Sequence, residues 1–466
     1  MNLSVPYTKR WSALFLLCTA QFMVIMDTSI IGVALPAIKA DLGYTQTGLQ
    51  WIFNAYVIFF GGFLLLGGKL SDLFGARKVF MWGFAILTLS SLLAGLAWSD
   101  AALNTGRALQ GLGSALIAPS ALTLVLSMFT DPKEVGKALG FWGAAAAAGG
   151  SAGVFLGGVI TEWMSWHWTF LINIPLGLIV LSMSKNLLLP GSARKGKVDL
   201  LSALMATTAM VLLVYAIVST ESSAWFSGRT IGLLSTSIIL LAIFIVMQGK
   251  KQDPLLPLSI FKVPNLSAGN IVMGLLAGAW IPLWFFLNLY LQQVLKLSAF
   301  NSGLALLPMT IVIMVVMVGL TGKLVAKFGF KHNLIAGLIL LTLSLLLFAT
   351  APANGSFLLN VLPASILGAL GMSQAYIPGT IASMSGAKPE ETGLASGLVN
   401  TSYQIGSALG LAIIVAISSA VTNNSANGAG TTDALMDGFQ SAFLSAALVS
   451  ALAATIGIIK IKHLKQ

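Results

Sequence analysis

The sequence predicts an all-α integral membrane protein: two pseudo-symmetric six-helix bundles plus two inserted helices, fourteen transmembrane helices in all. Three observations predict it: an apolar composition, a recurrence of long apolar runs, and a distribution of basic residues that alternates with them. Of 466 residues, 57% are hydrophobic and 8% are charged, against about 25% charged in an average soluble domain. Such a chain cannot cover a water-facing surface, so its spare apolar surface must face lipid.

A membrane helix needs about 20 mostly apolar residues. Runs at 11–35, 49–70, 79–98, 102–128, 138–162 and 168–189 make a first set of six. Runs at 199–219 and 230–248 make a pair, and those at 267–293, 301–324, 333–350, 356–382, 393–421 and 438–460 a second six. The first run follows Lys9 and Arg10, as a signal peptide would. It is too long for one, lacks a clear small-residue cleavage site and carries Asp27, so it is read as a helix. The polar segment 422–437 is read as an external, mobile loop.

Fourteen crossings put both termini on one side. With the N-terminus cytoplasmic, twenty-one of the 25 Lys and Arg residues fall inside. Three fall outside, Lys39, Arg229 and Lys296, and Arg107 falls within a helix. This bias predicts a multi-pass membrane protein with both termini cytoplasmic, and the cell (inner) membrane is the expected location. One miscounted helix would reverse the downstream loops and destroy the bias. It also accounts for the net charge of +11 without nucleic acid.

GKLSDLFGARK (68–78) follows the second run and GKLVAKFGFKH (322–332) the tenth, with five of eleven positions identical. Each copy then follows the second helix of a six-helix unit, a known plan for parallel repeats. The expected organisation is an N-terminal bundle at 1–190, a two-helix insertion at 191–262 and a C-terminal bundle at 263–466.

Few residues can carry chemistry. Cys18 is the one cysteine, and His167, His332 and His463 lie far apart; this predicts no metal site. No GxxxxGK[ST] pattern occurs, so any work must draw on a gradient. A membrane-embedded enzyme would need a metal cluster or a serine with a base within the helices. A channel would need a charged ring or filter repeat. Asp27 is the one acid deep within a predicted helix, and a buried carboxylate there is a functional candidate by default. At 1.5 Å per residue, Asp27 and Arg107 lie at similar depth, about 12 and 10 Å below the outer surface. The sequence does not fix whether their helices touch.

Five segments in order resemble the major facilitator superfamily, in its fourteen-helix drug:proton antiporter branch: MDTSIIGVALP (26–36), GKLSDLFGARK (68–78), LNTGRALQGLG (103–113), WHWTFLINIPLG (166–177) and GLASGLVNTSYQIGSALG (393–410). The chain departs from the pattern at Val154, where the helix 5 antiporter motif has proline, at His167 for arginine, and at Ala326, opposite Asp72 in the repeat.

The resemblance implies proton-coupled export of lipophilic small molecules or drugs, cations included, by alternating access, with no cofactor beyond the proton gradient and a monomer in the bilayer. Val154 leaves open an exporter or uniporter of a single metabolite. Asp27 and Arg107 are the implied proton-coupling pair. Gly68, Asp72, Gly75 and Arg77 are the implied latch of the outward-facing state. Gly149, Gly153, Gly157 and Gly158 are the implied helix-packing, antiporter-motif face, turned toward the other half. Asn54, Tyr56, Asn173, Trp284, Asn288, Asn400, Tyr403 and Gln404 are polar or aromatic groups within apolar runs and candidate substrate contacts.

Overall fold

A backbone amide in hydrocarbon must find its partner within the chain, so apolar runs of this length become helices. The computed structural model describes residues 9–129, 132–190, 199–219, 226–252, 254–387, 392–425 and 431–462. Helix α1 comprises Arg10–Ser29 and Ile31–Leu42, joined through Ile30, whose own backbone is helical. It is followed by α2 (Trp51–Phe74), α3 (Ala76–Gly95), α4 (Asp100–Met128), α5 (Pro132–Trp163) and α6 (Trp168–Leu171 with Asn173–Leu187). The insertion is α7 (Leu200–Val218) and α8 (Gly228–Lys250). Helix α9 runs over Leu266–Leu289 and continues through Tyr290–Val294, and α10 over Ala299–Val316, continuing through Met317–Thr321.

The next run, Gly322–Ala349, is broken at Gly329, where φ is 76° and ψ 161°. Residues before the break complete α10, and 330–349 form α11. Together with α10 this makes a 51-residue apolar stretch, about 75 Å if straight and more than twice the hydrocarbon thickness. The break therefore divides it into two crossings and brings the count among the described residues to fourteen. Helices α12 (Leu362–Met384), α13 (Thr392–Ser425) and α14 (Thr431–Lys460) complete the chain.

The break at Gly329 has a twin. Gly75, between α2 and α3, has φ 88° and ψ 134°, and the two glycines hold the same place in the repeated eleven-residue segments. This region is essentially closed to residues with a Cβ. Gly329→Ala is therefore expected to destabilise by about 1–3 kcal/mol, read by thermal unfolding in detergent. Gly322→Ala is the control: its Cβ would meet nothing within 4 Å, and alanine is the better helix former. Equal losses in the two variants would refute the assignment.

Packing repeats with the sequence. Helix α1 lies along α5, α2 and α3 along α4, and α3 along α6; likewise α9 lies along α13, α10 and α11 along α12, and α11 along α14. Helices α7 and α8 pack on each other, and α7 rests on α2 and α13. Lys251, just past α8, donates to the Asp199 carboxylate that caps α7. Partial burial pushes that carboxyl up, but hydrogen bonds from Lys251 and Ser202 outweigh it and hold it below its usual range. The clasp is thus present above the carboxyl's unfolded value and is lost in acid. The expected boundary at 190/191 adjoins 191–198, which lie outside the described residues.

Two helix ends correct the sequence reading. Helix α1 does not stop near Pro36 but runs to Gly43, whose left-handed backbone (φ 69°) ends it with an N–H bond to Lys39 O. Nor is 422–437 an open loop: 422–425 and 431–437 are helical, and only 426–430 lie outside the described residues. Gly438 sits so close to Ser418 and Thr422 that the first turns of α14 pack on the last of α13.

Call the end bearing both termini the proximal end and the other the distal end. At the distal end the halves are fused. One apolar cluster joins Ile30, Val33, Leu35 and Ile52 of the first half with Leu283, Phe285 and Leu289 of α9. Gln292 donates to Val33 O at 2.8 Å, and the Glu162 carboxylate accepts from Phe300 N at 3.3 Å. At the proximal end a second cluster, including Leu17, Phe80, Phe84, Met128 and Leu188, is built from the first half alone.

Candidate functional site

The pair of charges predicted at equal depth meets. Asp27 on α1 and Arg107 on α4 are both 0% exposed, and Arg107 Nη1 donates to Asp27 Oδ2 at 2.7 Å. Their approach depends on α4 lying close to α2: a Cβ at Gly111 would come within 2.2 Å of Tyr56 O. That proximity lets Arg107 Nε donate to Ile52 O at 2.9 Å. The guanidinium carbon lies 4.4 Å from the Tyr56 ring centre, a cation–π contact. The Tyr56 hydroxyl lies 2.8 Å from Ser114 Oγ.

The carboxylate is hydrogen-bonded on both oxygens. Oδ1 accepts from Gln110 Nε2 at 3.0 Å and from Asn173 Nδ2 at 2.6 Å. Gln110 also accepts from Arg107 Nη1 at 2.8 Å and donates to Ser91 Oγ at 2.8 Å. Desolvating two ions costs several kcal/mol each, and only close pairing with further hydrogen bonds offsets it. Five helices, α1, α2, α3, α4 and α6, take part in those bonds. Sequence reasoning does not single out Gln110, although it stands three residues after Arg107 and so on the same helical face.

Asn173 and Tyr56, expected as substrate contacts, are thus part of the charge site. The other expected contacts lie elsewhere. Asn54 is buried and donates to Gln50 at 3.4 Å. Asn288 donates to Trp284 O within its own helix and faces Gly32 of α1. Gln404 packs on Gly61 of α2. Asn400 donates to Ser396 O, and Tyr403 makes an edge contact with Tyr376. Asn288 and Gln404 therefore line the seam between the halves, while Asn54 bonds within its own half.

The glycine face of α5 turns the other way from expectation. A Cβ at Gly149, Gly153 or Gly157 would strike Phe22 O, Ser29 Oγ or Ile30 O, all on α1 of the same half. Gly158 alone of the four faces the second half, against Ala299 O and Gly303 of α10. Small residues let these helices approach closely, and the stripe backs the turn of α1 that carries Asp27.

Of the four latch positions, Gly75 makes the turn after α2, and Arg77 donates to the carbonyls of Lys185 and Leu188 at the end of α6. Asp72 is exposed and has no ion pair or hydrogen bond among the described residues. Gly68 has only Pro119 within reach of a Cβ. These side chains do not touch the second half in this conformation. Among the described residues no group of three or more His, Cys, Asp or Glu is placed to hold a metal ion.

Comparison with known proteins places the chain in a family. The Major Facilitator Superfamily profile matches residues 17–411. The chain is 36% identical over 401 residues to the cephamycin export protein CmcT of Amycolatopsis lactamdurans, covering 85% of this chain and 82% of that one. It is 34% identical over 410 residues to the puromycin resistance protein pur8 of Streptomyces alboniger, covering 87% and 81%. A crystal structure of an auto-inhibited POT family peptide transporter shares the fold, with TM-score 0.68 at 14% identity over 95% of this chain and 97% of that one. The chain belongs to the Major Facilitator Superfamily and is a multi-pass membrane transporter of small molecules.

Proposed function

We propose that this transporter exports lipophilic small molecules of antibiotic size, cations among them, in exchange for protons, and that Asp27 is the proton-carrying group. The observation that carries the reading is the fully buried Asp27–Arg107 pair in its shell of hydrogen-bond donors. A carboxylate so held is paired when ionised and neutral when protonated, and protonation leaves the buried Arg107 guanidinium with neutral partners only, which favours a rearrangement around it. Proton uptake removes half of the ion pair and changes what α1, α4 and α6 can form with one another. An exporter can use that change to alternate between two packings of its halves.

The basic-residue bias supports cytoplasmic termini, so the fused distal end faces away from the cytoplasm, the arrangement in which an exporter takes up its load. The relatives support the cargo: one is named for cephamycin export and one for puromycin resistance. Each name gives a single antibiotic, and with Val154 in place of the motif's proline this favours, as a second reading, an exporter of one compound over a multidrug pump. The protein acts as a monomer with no cofactor, drawing on the proton gradient of the cell membrane.

The test is proton release from detergent-purified protein in weak buffer. Cephamycin, puromycin and lipophilic cations are added in turn. Release of protons in step with binding is expected for at least one; release by one compound alone selects the second reading. Binding without release by any of them would defeat proton exchange.

A further inference from the structure

The shell around Asp27 fits one protonation state better than the other. An ionised carboxylate only accepts hydrogen bonds; a carboxylic acid turns one oxygen into a donor and needs an acceptor beside it. Arg107 has no acceptor to offer. Gln110 has one, but it is tied at both ends: Oε1 holds Arg107 Nη1, and Nε2 serves both Asp27 and Ser91. Turning Gln110 over would break three contacts.

Asn173 is tied at one end. Its Nδ2 donates to Asp27 Oδ1 at 2.6 Å, while its Oδ1 is buried with no hydrogen-bond partner, on a residue only 1% exposed. A buried, unpaired amide oxygen is unfavourable. Turning this amide over gives up the one contact that protonation of Asp27 removes in any case, and exchanges a buried unpaired oxygen for a buried unpaired amino group. It also directs the unpaired oxygen at the new O–H.

We infer that Asn173 is the positioning residue that reads the charge of Asp27: its amide donates to the carboxylate and turns over to accept from the carboxylic acid, so that proton uptake on α1 is registered on α6. The step adds one solvent proton to Asp27 Oδ1 and breaks no covalent bond. The titratable groups facing Asp27 are Arg107 on α4 and Tyr56 on α2, whose ring lies on that guanidinium. Helix α3 contributes Ser91 through Gln110, α6 contributes Asn173, and α5 presents glycines. The inference rests on Asp27 being the proton carrier.

The test uses full-length protein in detergent, wild type beside Asn173→Leu, which keeps the volume and removes both hydrogen-bonding ends. Two quantities are read: the pH profile of proton binding attributed to Asp27 by its loss in Asp27→Asn, and the infrared carbonyl band of the protonated Asp27 side chain, assigned the same way. A hydrogen bond to a charged acceptor is worth about twice one between neutral groups, so Asn173→Leu removes more from the ionised form. The expected result is roughly tenfold tighter proton binding, and a carbonyl band moved to higher frequency because its O–H has lost an acceptor. Asn173→Ala carries the same expectations should the leucine variant not fold. A wild-type profile and band that neither variant moves would overturn the inference while leaving Asp27 as carrier. Absence of any Asp27 signal in the wild type would overturn both.

Discussion

Asp27→Asn is expected to bring transport driven by an imposed pH gradient down to the level of protein-free vesicles. The variant cannot take up a proton at position 27, and the described helices hold no second buried acid of this kind to replace it: the buried charged residues are Asp27, Arg107 and Asp199, the last at a helix end. The change also has a structural cost. Arginine stays charged in proteins, so the variant leaves the Arg107 guanidinium fully buried against neutral groups. Breaking a buried pair from one side costs about 3–5 kcal/mol. The measurement pairs counterflow, which needs no net proton movement, with pH-driven uptake in the same vesicles. Preserved counterflow with lost uptake is the expected pattern; uptake equal to wild type would remove Asp27 from the mechanism.

Arg107→Leu is expected to fail differently. It strands a carboxylate, and a carboxylate can escape by taking up a proton. In alkaline buffer the loss is again about 3–5 kcal/mol; in acid most of it is recovered, because the group is then neutral in both the folded and unfolded chain. The sign follows from linkage: the folded variant holds a proton that the unfolded chain releases, so stability falls as pH rises. Thermal unfolding of the variant across pH should show a slope that Asp27→Asn lacks. The double variant Asp27→Leu/Arg107→Leu should regain much of the stability of the wild type, since a buried pair replaced by apolar groups is often neutral or better. A flat profile for Arg107→Leu would show that water reaches the pair and that its burial is not what sets its behaviour.

Both variants act on residues that the amino-acid sequence alone singles out. A charge in an apolar run has few ways to be satisfied, so Asp27 and Arg107 stand out, and helix rise alone sets them level. The fourteen crossings are equally legible, because each crossing reverses the side on which basic residues must lie. Other features are not. Periodicity gives a helix its faces but does not name the neighbour each face meets, so the stripe of Gly149, Gly153 and Gly157, expected against the other half, lies instead on α1. An amide in an apolar run is ambiguous in the same way: Asn173 and Asn288 look alike in sequence, yet one serves Asp27 and the other its own helix. Helix ends are misjudged where polar residues continue the helix beyond the hydrocarbon, as after Pro36 and around 422–437, since hydropathy reports the bilayer and not the hydrogen-bond ladder.

Gly157 and Gly158 are adjacent on α5, yet their missing side chains admit backbones from opposite halves: Ile30 of α1 on one flank, Ala299 and Gly303 of α10 on the other. Helix α5 is therefore wedged between the helix that carries Asp27 and the helix across the seam, with main chain close to main chain on both flanks. Where backbone lies on backbone there is little side-chain slack, so α5 meets both helices through close, unyielding contacts at this level.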